Sequence, residues 1–145
     1  MKLARFMLCI TGATWVLYGG WLFFNPLGLR YAGFELNHWS TIVEVQAMYG
    51  LAEVMLGVFA LLGVWKPRVY MHPALLLWCM IYSSLWIGRV IGIIQWEGSW
   101  SIFPLGAEGL PDAYNPGALY FLELPSSILL FIALMKTRGH PELNS

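Results

Sequence analysis

Charge is what this sequence has least of. Charged side chains make up 11% of it, where a soluble domain usually carries about 25%. The 8 basic and 8 acidic residues cancel, so the one-sided positive footprint of a nucleic-acid binder is missing. Cysteine is nearly absent as well. Cys9 and Cys79 each sit inside an apolar run with no Cys or His at ligand spacing, which reads as small hydrophobic filler and not as a metal site. The histidines, His38, His72 and His140, fall in three separate segments. No metal, haem or phosphate-loop signature follows from them, and no cofactor is expected. Disorder is excluded by a hydrophobic share of 59%, because a disordered chain needs low hydrophobicity and high charge. No low-complexity linker and no transporter-style inverted repeat divides the 145 residues, so one domain is expected. A membrane protein is the class that remains.

Crossing a hydrocarbon core of about 30 Å takes about 20 apolar residues. Stretches at about 6–24, 41–65, 69–96 and 116–135 satisfy this. The predicted fold is all-α: a polytopic, antiparallel four-helix transmembrane bundle with an outer loop cap, formed as a single domain over 1–145. Lys2 and Arg5 give the first span the look of a secretory signal. Its apolar core is longer than the usual 7 to 15 residues, roughly, and no small-residue cleavage pattern follows, so it is expected to be retained. Breaks fall at Asn25-Pro26, at Lys66-Pro67-Arg68 and at Asn115-Pro116, where turn chemistry is richest.

Basic residues set the direction. Lys2, Arg5, Lys66, Arg68, Lys136 and Arg138 lie on one side of the spans and only Arg30 on the other. The positive-inside rule therefore predicts cytoplasmic N- and C-termini, with segments 25–40 and 97–115 outside. Trp21, Trp39, Trp65, Tyr70, Trp96 and Trp100 fit the aromatic belts at the headgroups. The 97–115 connection, at 19 residues, exceeds the 12 to 15 or so beyond which a structureless loop is usually functional or disordered. Its Trp100 and Phe103, interleaved with prolines and glycines, mark it as a cap over the bundle mouth and a point of outer contact.

Ionisable groups inside the spans are Glu44, Glu53, Arg89 and Glu123. In hydrocarbon each costs about 2.5 to 3.5 kcal/mol on insertion scales, so each needs an inward face and a partner. Arg89 and Glu123 are each seven residues from the outer end of their span, which sets both roughly 10 Å deep and level with each other. Gln46, at about 8 Å, is expected to steady an Arg89–Glu123 pair, while Glu53 lies near the midplane and Glu44 near the surface. At about 100° per residue, Gln46, Gly50, Glu53 and Gly57 form one stripe, and Tyr120, Glu123 and Ser127 another. Glu44 points the opposite way from Glu53, free to reach headgroups or a partner. Ser84, Gly88 and Gly92 form a small-residue ridge beside Arg89 and are expected to press it into the bundle. Gly12 and Gly19 echo the seven-residue spacing of Gly50 and Gly57. The buried polar cluster is thus Gln46, Glu53, Arg89, Glu123 and Tyr120, with Glu53 the candidate acid/base.

The run Glu44-Val45-Gln46-Ala47-Met48-Tyr49-Gly50-Leu51-Ala52-Glu53, with Gly88-Arg89-Val90-Ile91-Gly92, Glu97-Gly98 and Glu123, resembles the pattern of an uncharacterised family of small bacterial four-helix membrane proteins. These are similar in size to DoxX-like proteins. The resemblance implies the fold and a bacterial inner membrane, and it supplies no activity. Family members carry an arginine at the position of Gln46 and a second glycine at that of Leu51. Two function classes follow from the residues. One is a non-catalytic accessory or scaffolding subunit whose partners are membrane lipids and a membrane protein or a second copy. The other is an enzyme or carrier for a lipid-soluble molecule such as a quinone, sterol or fatty compound, with Glu53 as acid/base and Arg89 with Glu123 holding a polar head.

Overall fold

A computed structural model describes residues 1–32, 36–97 and 119–138. Every element among them is helical. Helix α1 runs Lys2–Phe24, and a 3-10 segment follows at Pro26–Ala32. Helix α2 covers Trp39–Trp65 and contains a π segment at Val45–Leu51. Helix α3 is Pro67–Glu97. Helix α4 opens with a π turn at Leu119–Glu123 and continues as α-helix over Leu124–Thr137. The first three helices start two to four residues before the expected spans. Residues 116–118 of the fourth lie outside the described residues.

Proline chemistry cuts the first three helices apart. The ring of a proline pushes the preceding residue out of the α region. Asn25, before Pro26, has φ −130° and ψ 63°, and Lys66, before Pro67, has nearly the same backbone, φ −119° and ψ 69°. Pro67 then serves as the first residue of α3, where its missing N–H is one of the orphans in any case. Pro73 sits inside α3 and leaves the carbonyl of Val69 without its ladder partner. That gap lies within two turns of the hairpin, close to headgroup water.

Gly12 meets Gly57 and Gly19 meets Gly50 between α1 and α2. Gly63 of α2 packs on Ala74 of α3 and on Leu8 of α1. Between α3 and α4, Cys79 lies by Ser127 and Arg89 by Glu123. The dry core occupies the hairpin end: Leu8, Ala60, Met71, Ala74, Leu75, Trp78 and Leu130 are fully buried there. A smaller cluster of Leu22, Leu29, Leu36 and Val45 holds the 3-10 segment against the far end of α1 and α2.

Each helix is apolar on the outside too. Only 22–33% of each apolar window is buried within the protein, and Phe6, Leu17, Phe24, Met80 and Phe131 all project outward. A soluble monomer rarely carries a contiguous apolar surface of more than a few hundred Å². Helices whose backbone bonds are closed internally can face hydrocarbon directly. Four helices are long and apolar enough to cross a membrane, and the chain is read here as a multi-pass membrane protein.

Candidate functional site

The polar groups collect above the dry core, toward the far end of the bundle. Arg89 and Glu123 meet there: Arg89 Nε donates to both carboxylate oxygens of Glu123, at 2.8 Å each. The two side chains are unequally covered. Glu123 keeps 4% of its surface and Arg89 36%, so the acid is the buried partner and the guanidinium reaches it from the rim. Charge-assisted bonds of this kind are about twice as strong as neutral ones. The carboxylate sits on the π turn of α4, directly before Leu124-Pro125. Pro125 has no N–H to give the preceding turn, and such places accommodate widened turns.

Gln46 does not join this pair. Its stripe on α2 faces α1, and Gln46 Nε2 donates to the carbonyl of Phe23 at 3.0 Å. The physical reason is the end of α1: the last four carbonyls of a helix have no partner within it, and Phe23 is one of them. The amide therefore satisfies a helix terminus, and the Arg89–Glu123 pair stands without it.

Glu53 occupies the same α1-facing stripe. It is 9% exposed, and a Cβ built on Gly19 would lie 2.9 Å from its own Cβ. Among the described residues its Oε2 is buried with no hydrogen-bond partner, an arrangement that buried polar atoms seldom show. Tyr18 lies within electrostatic range of Glu53, Tyr49 and Arg89. Below them Trp15 Nε1 donates to Tyr82 Oη at 2.9 Å, and Trp15, Trp78 and Tyr82 pack ring on ring. Glu123 is within electrostatic range of Tyr82 as well.

Tyr120 is half-buried on the π turn of Glu123. Glu44 is exposed on the opposite face from the stripe. Trp100 and Phe103, the expected outer contacts, lie outside the described residues. The small-residue ridge does not press Arg89 inward. Among the described residues nothing lies within 4 Å of a Cβ built on Gly88 or Gly92, and Ser84 is exposed and bonded to the Ile81 carbonyl of its own helix. None of the described helices covers the ridge at its glycines. Among the described residues no group of three or more His, Cys, Asp or Glu could hold a metal.

Sequence reasoning missed Tyr82, Trp15 and Tyr49. A signal existed for the first: Tyr82 precedes Arg89 by seven residues, two helical turns, which puts both on one face. Trp15 carried none, because a tryptophan in an apolar span reads as lipid anchoring until its indole N–H is seen to have a partner.

Comparison with known protein families, with curated proteins and with solved structures finds no match.

Proposed function

We propose that the protein is a non-catalytic accessory or scaffolding subunit of a larger membrane complex, an antiparallel four-span bundle of a bacterial inner membrane with both termini in the cytoplasm. The family resemblance of its glycine-flanked acids and arginine supports that setting. The observation that carries the reading is the ridge of Ser84, Gly88 and Gly92: small, exposed at Ser84 and Gly88, and with open space among the described residues at both glycine Cβ positions. Helix association in lipid relies on small residues that let backbones approach. Gly12, Gly19, Gly50 and Gly57, by contrast, are used up inside the fold. Most of the strong polar groups are likewise spent internally, Arg89 on Glu123 and Gln46 on Phe23.

The test is tagged full-length protein extracted from native membranes in mild detergent, beside a Gly88→Leu variant. A stoichiometric partner that co-purifies with the wild type and is lost from Gly88→Leu, with helicity unchanged, supports the reading. A lone bundle in both sinks it.

One observation favours a second reading. The Oε2 of Glu53, without a hydrogen-bond partner among the described residues, is the group a membrane enzyme or carrier would present to a lipid-soluble substrate with a hydrogen-bonding head, with Tyr18 within electrostatic range of it. A Glu53→Gln variant that folds normally and no longer retains a co-purifying hydrophobic small molecule supports it. Identical small-molecule content in the two proteins counts against it.

A further inference from the structure

A cleft of about 690 Å³ opens where α1 ends and the 3-10 segment begins, within the range of about 300–1,000 Å³ typical of small-molecule sites. Its walls are Trp21, Phe24, Leu27 and Ile42, with Asn25 and Arg30 supplying the polar atoms. We infer that this cleft binds the phosphate end of an anionic amphiphile, with Arg30 on the phosphate and the four apolar side chains along the first carbons of the tail.

The placement of Arg30 carries much of this. It is the one basic residue of the far side, set against the bias that collects six others at the hairpin end. Among the described residues no carboxylate pairs with it. Its Nη2 donates to the Leu36 carbonyl at 3.2 Å, which fixes the guanidinium and, among the described residues, leaves most of its five N–H donors unspent. A planar fork of donors matches phosphate oxygens two at a time. The rest of the wall identifies the source of the phosphate. Free phosphate gains nothing from two aromatic rings and two aliphatic side chains, whereas an acyl chain does. The wall itself is firm: Gly28 lies directly against the Trp21 indole, and Leu29 is anchored in the cluster with Leu22 and Val45. The cleft also lies at the terminus of a spanning helix, the depth at which phospholipid phosphates sit.

The experiment is native mass spectrometry of the full-length protein released from detergent. Phosphatidylglycerol and diacylglycerol with the same chains are titrated in parallel. Wild type is expected to prefer the phosphatidylglycerol by about tenfold or more, the value of one charge-assisted contact. Arg30→Gln is expected to abolish the preference, and Arg68→Gln, an exposed cation at the hairpin, to keep it. No preference in wild type, or a preference that survives Arg30→Gln, overturns the site. Displacement of the lipid by inorganic phosphate at matched concentration assigns the cleft to free phosphate and overturns the amphiphile. Should Arg30→Gln lose helicity, Arg30→Lys carries the test: charge stays and the fork goes, severalfold weaker binding is expected, and unchanged affinity refutes the assignment.

Discussion

Gly12 and Gly57 sit backbone to backbone: a methyl group on Gly12 would lie 2.9 Å from the Gly57 carbonyl oxygen, and one on Gly57 2.8 Å from that of Gly12. Two turns further on, a methyl group on Gly19 would lie 2.7 Å from the Gly50 carbonyl oxygen, whereas one on Gly50 would meet Phe23. Two glycines seven apart on α1 thus meet the part of α2 that carries two glycines seven apart, and the spacing that reads as ordinary packing grammar is the register of the first helix pair. Side chains share these contacts, Leu61 at Gly12 and Val16 at Gly57, and the backbones approach closely because the glycines add none of their own.

Gly19 and its neighbour Gly20 offer a matched comparison. Gly19→Ala drives a methyl into the backbone of α2, and overpacking of this kind costs about 1–3 kcal/mol. Gly20 has nothing within 4 Å of its Cβ position, so Gly20→Ala is expected to be neutral or to gain about 0.5–1 kcal/mol from helix propensity. Equilibrium unfolding in mixed micelles checks both. Equal effects at the two sites would mean that α1 does not lean on α2 here.

Removing one member of the Arg89–Glu123 pair is expected to be unequal in its effect. Arg89→Gln strands a carboxylate that is 4% exposed, while Glu123→Gln leaves a guanidinium that is 36% exposed and able to reach headgroups. The first change should cost about 3 kcal/mol, at the low end for a broken buried pair, and the second less. The double variant should lose less than the sum. The same unfolding assay decides, and a reversed order refutes this account of which partner is buried.

The Oε2 of Glu53 has no hydrogen bond to lose among the described residues. Glu53→Gln, isosteric and uncharged, keeps the packing against α1 and is expected to change stability by no more than about 1 kcal/mol, the net worth of a typical hydrogen bond. A fall in unfolding free energy several times larger would show that the carboxyl is a structural brace, and would remove the support for a ligand at that oxygen.

Orientation is open to direct measurement. In a Cys9→Ala, Cys79→Ala background, a cysteine at Lys66 should react with a membrane-impermeant maleimide only after the cells are opened, and one at Asn25 in intact cells. Labelling of both from the same side rules out the four-span arrangement, and a swap of the two reverses it.

The four-helix character is legible in the sequence because the bilayer admits so few solutions: a run of about 20 apolar residues has to become a helix, and prolines 26 and 67 mark where the first two must stop. Depth is legible for the same reason, since a fixed rise of about 1.5 Å per residue puts Arg89 and Glu123 at one level, and they meet at 2.8 Å. Azimuth is where inference from single helices fails. The stripe of Gln46, Gly50, Glu53 and Gly57 is real, and all of it turns toward α1. The periodicity of one helix says that residues share a face but is silent on which neighbour that face meets.

Composition alone determined the solvent of this protein, the number of its spans and the scarcity of its buried charges, because each follows from the free energy of moving residue types into hydrocarbon. Only the tertiary arrangement decided which helix each polar stripe addresses. It gave Gln46 to the end of α1, sealed Glu123 beneath Arg89, and among the described residues left an oxygen of Glu53 without a partner and the Gly88 ridge uncovered. Those outcomes depend on which backbones can approach closely, and that is a property of pairs of helices, which no single helix encodes.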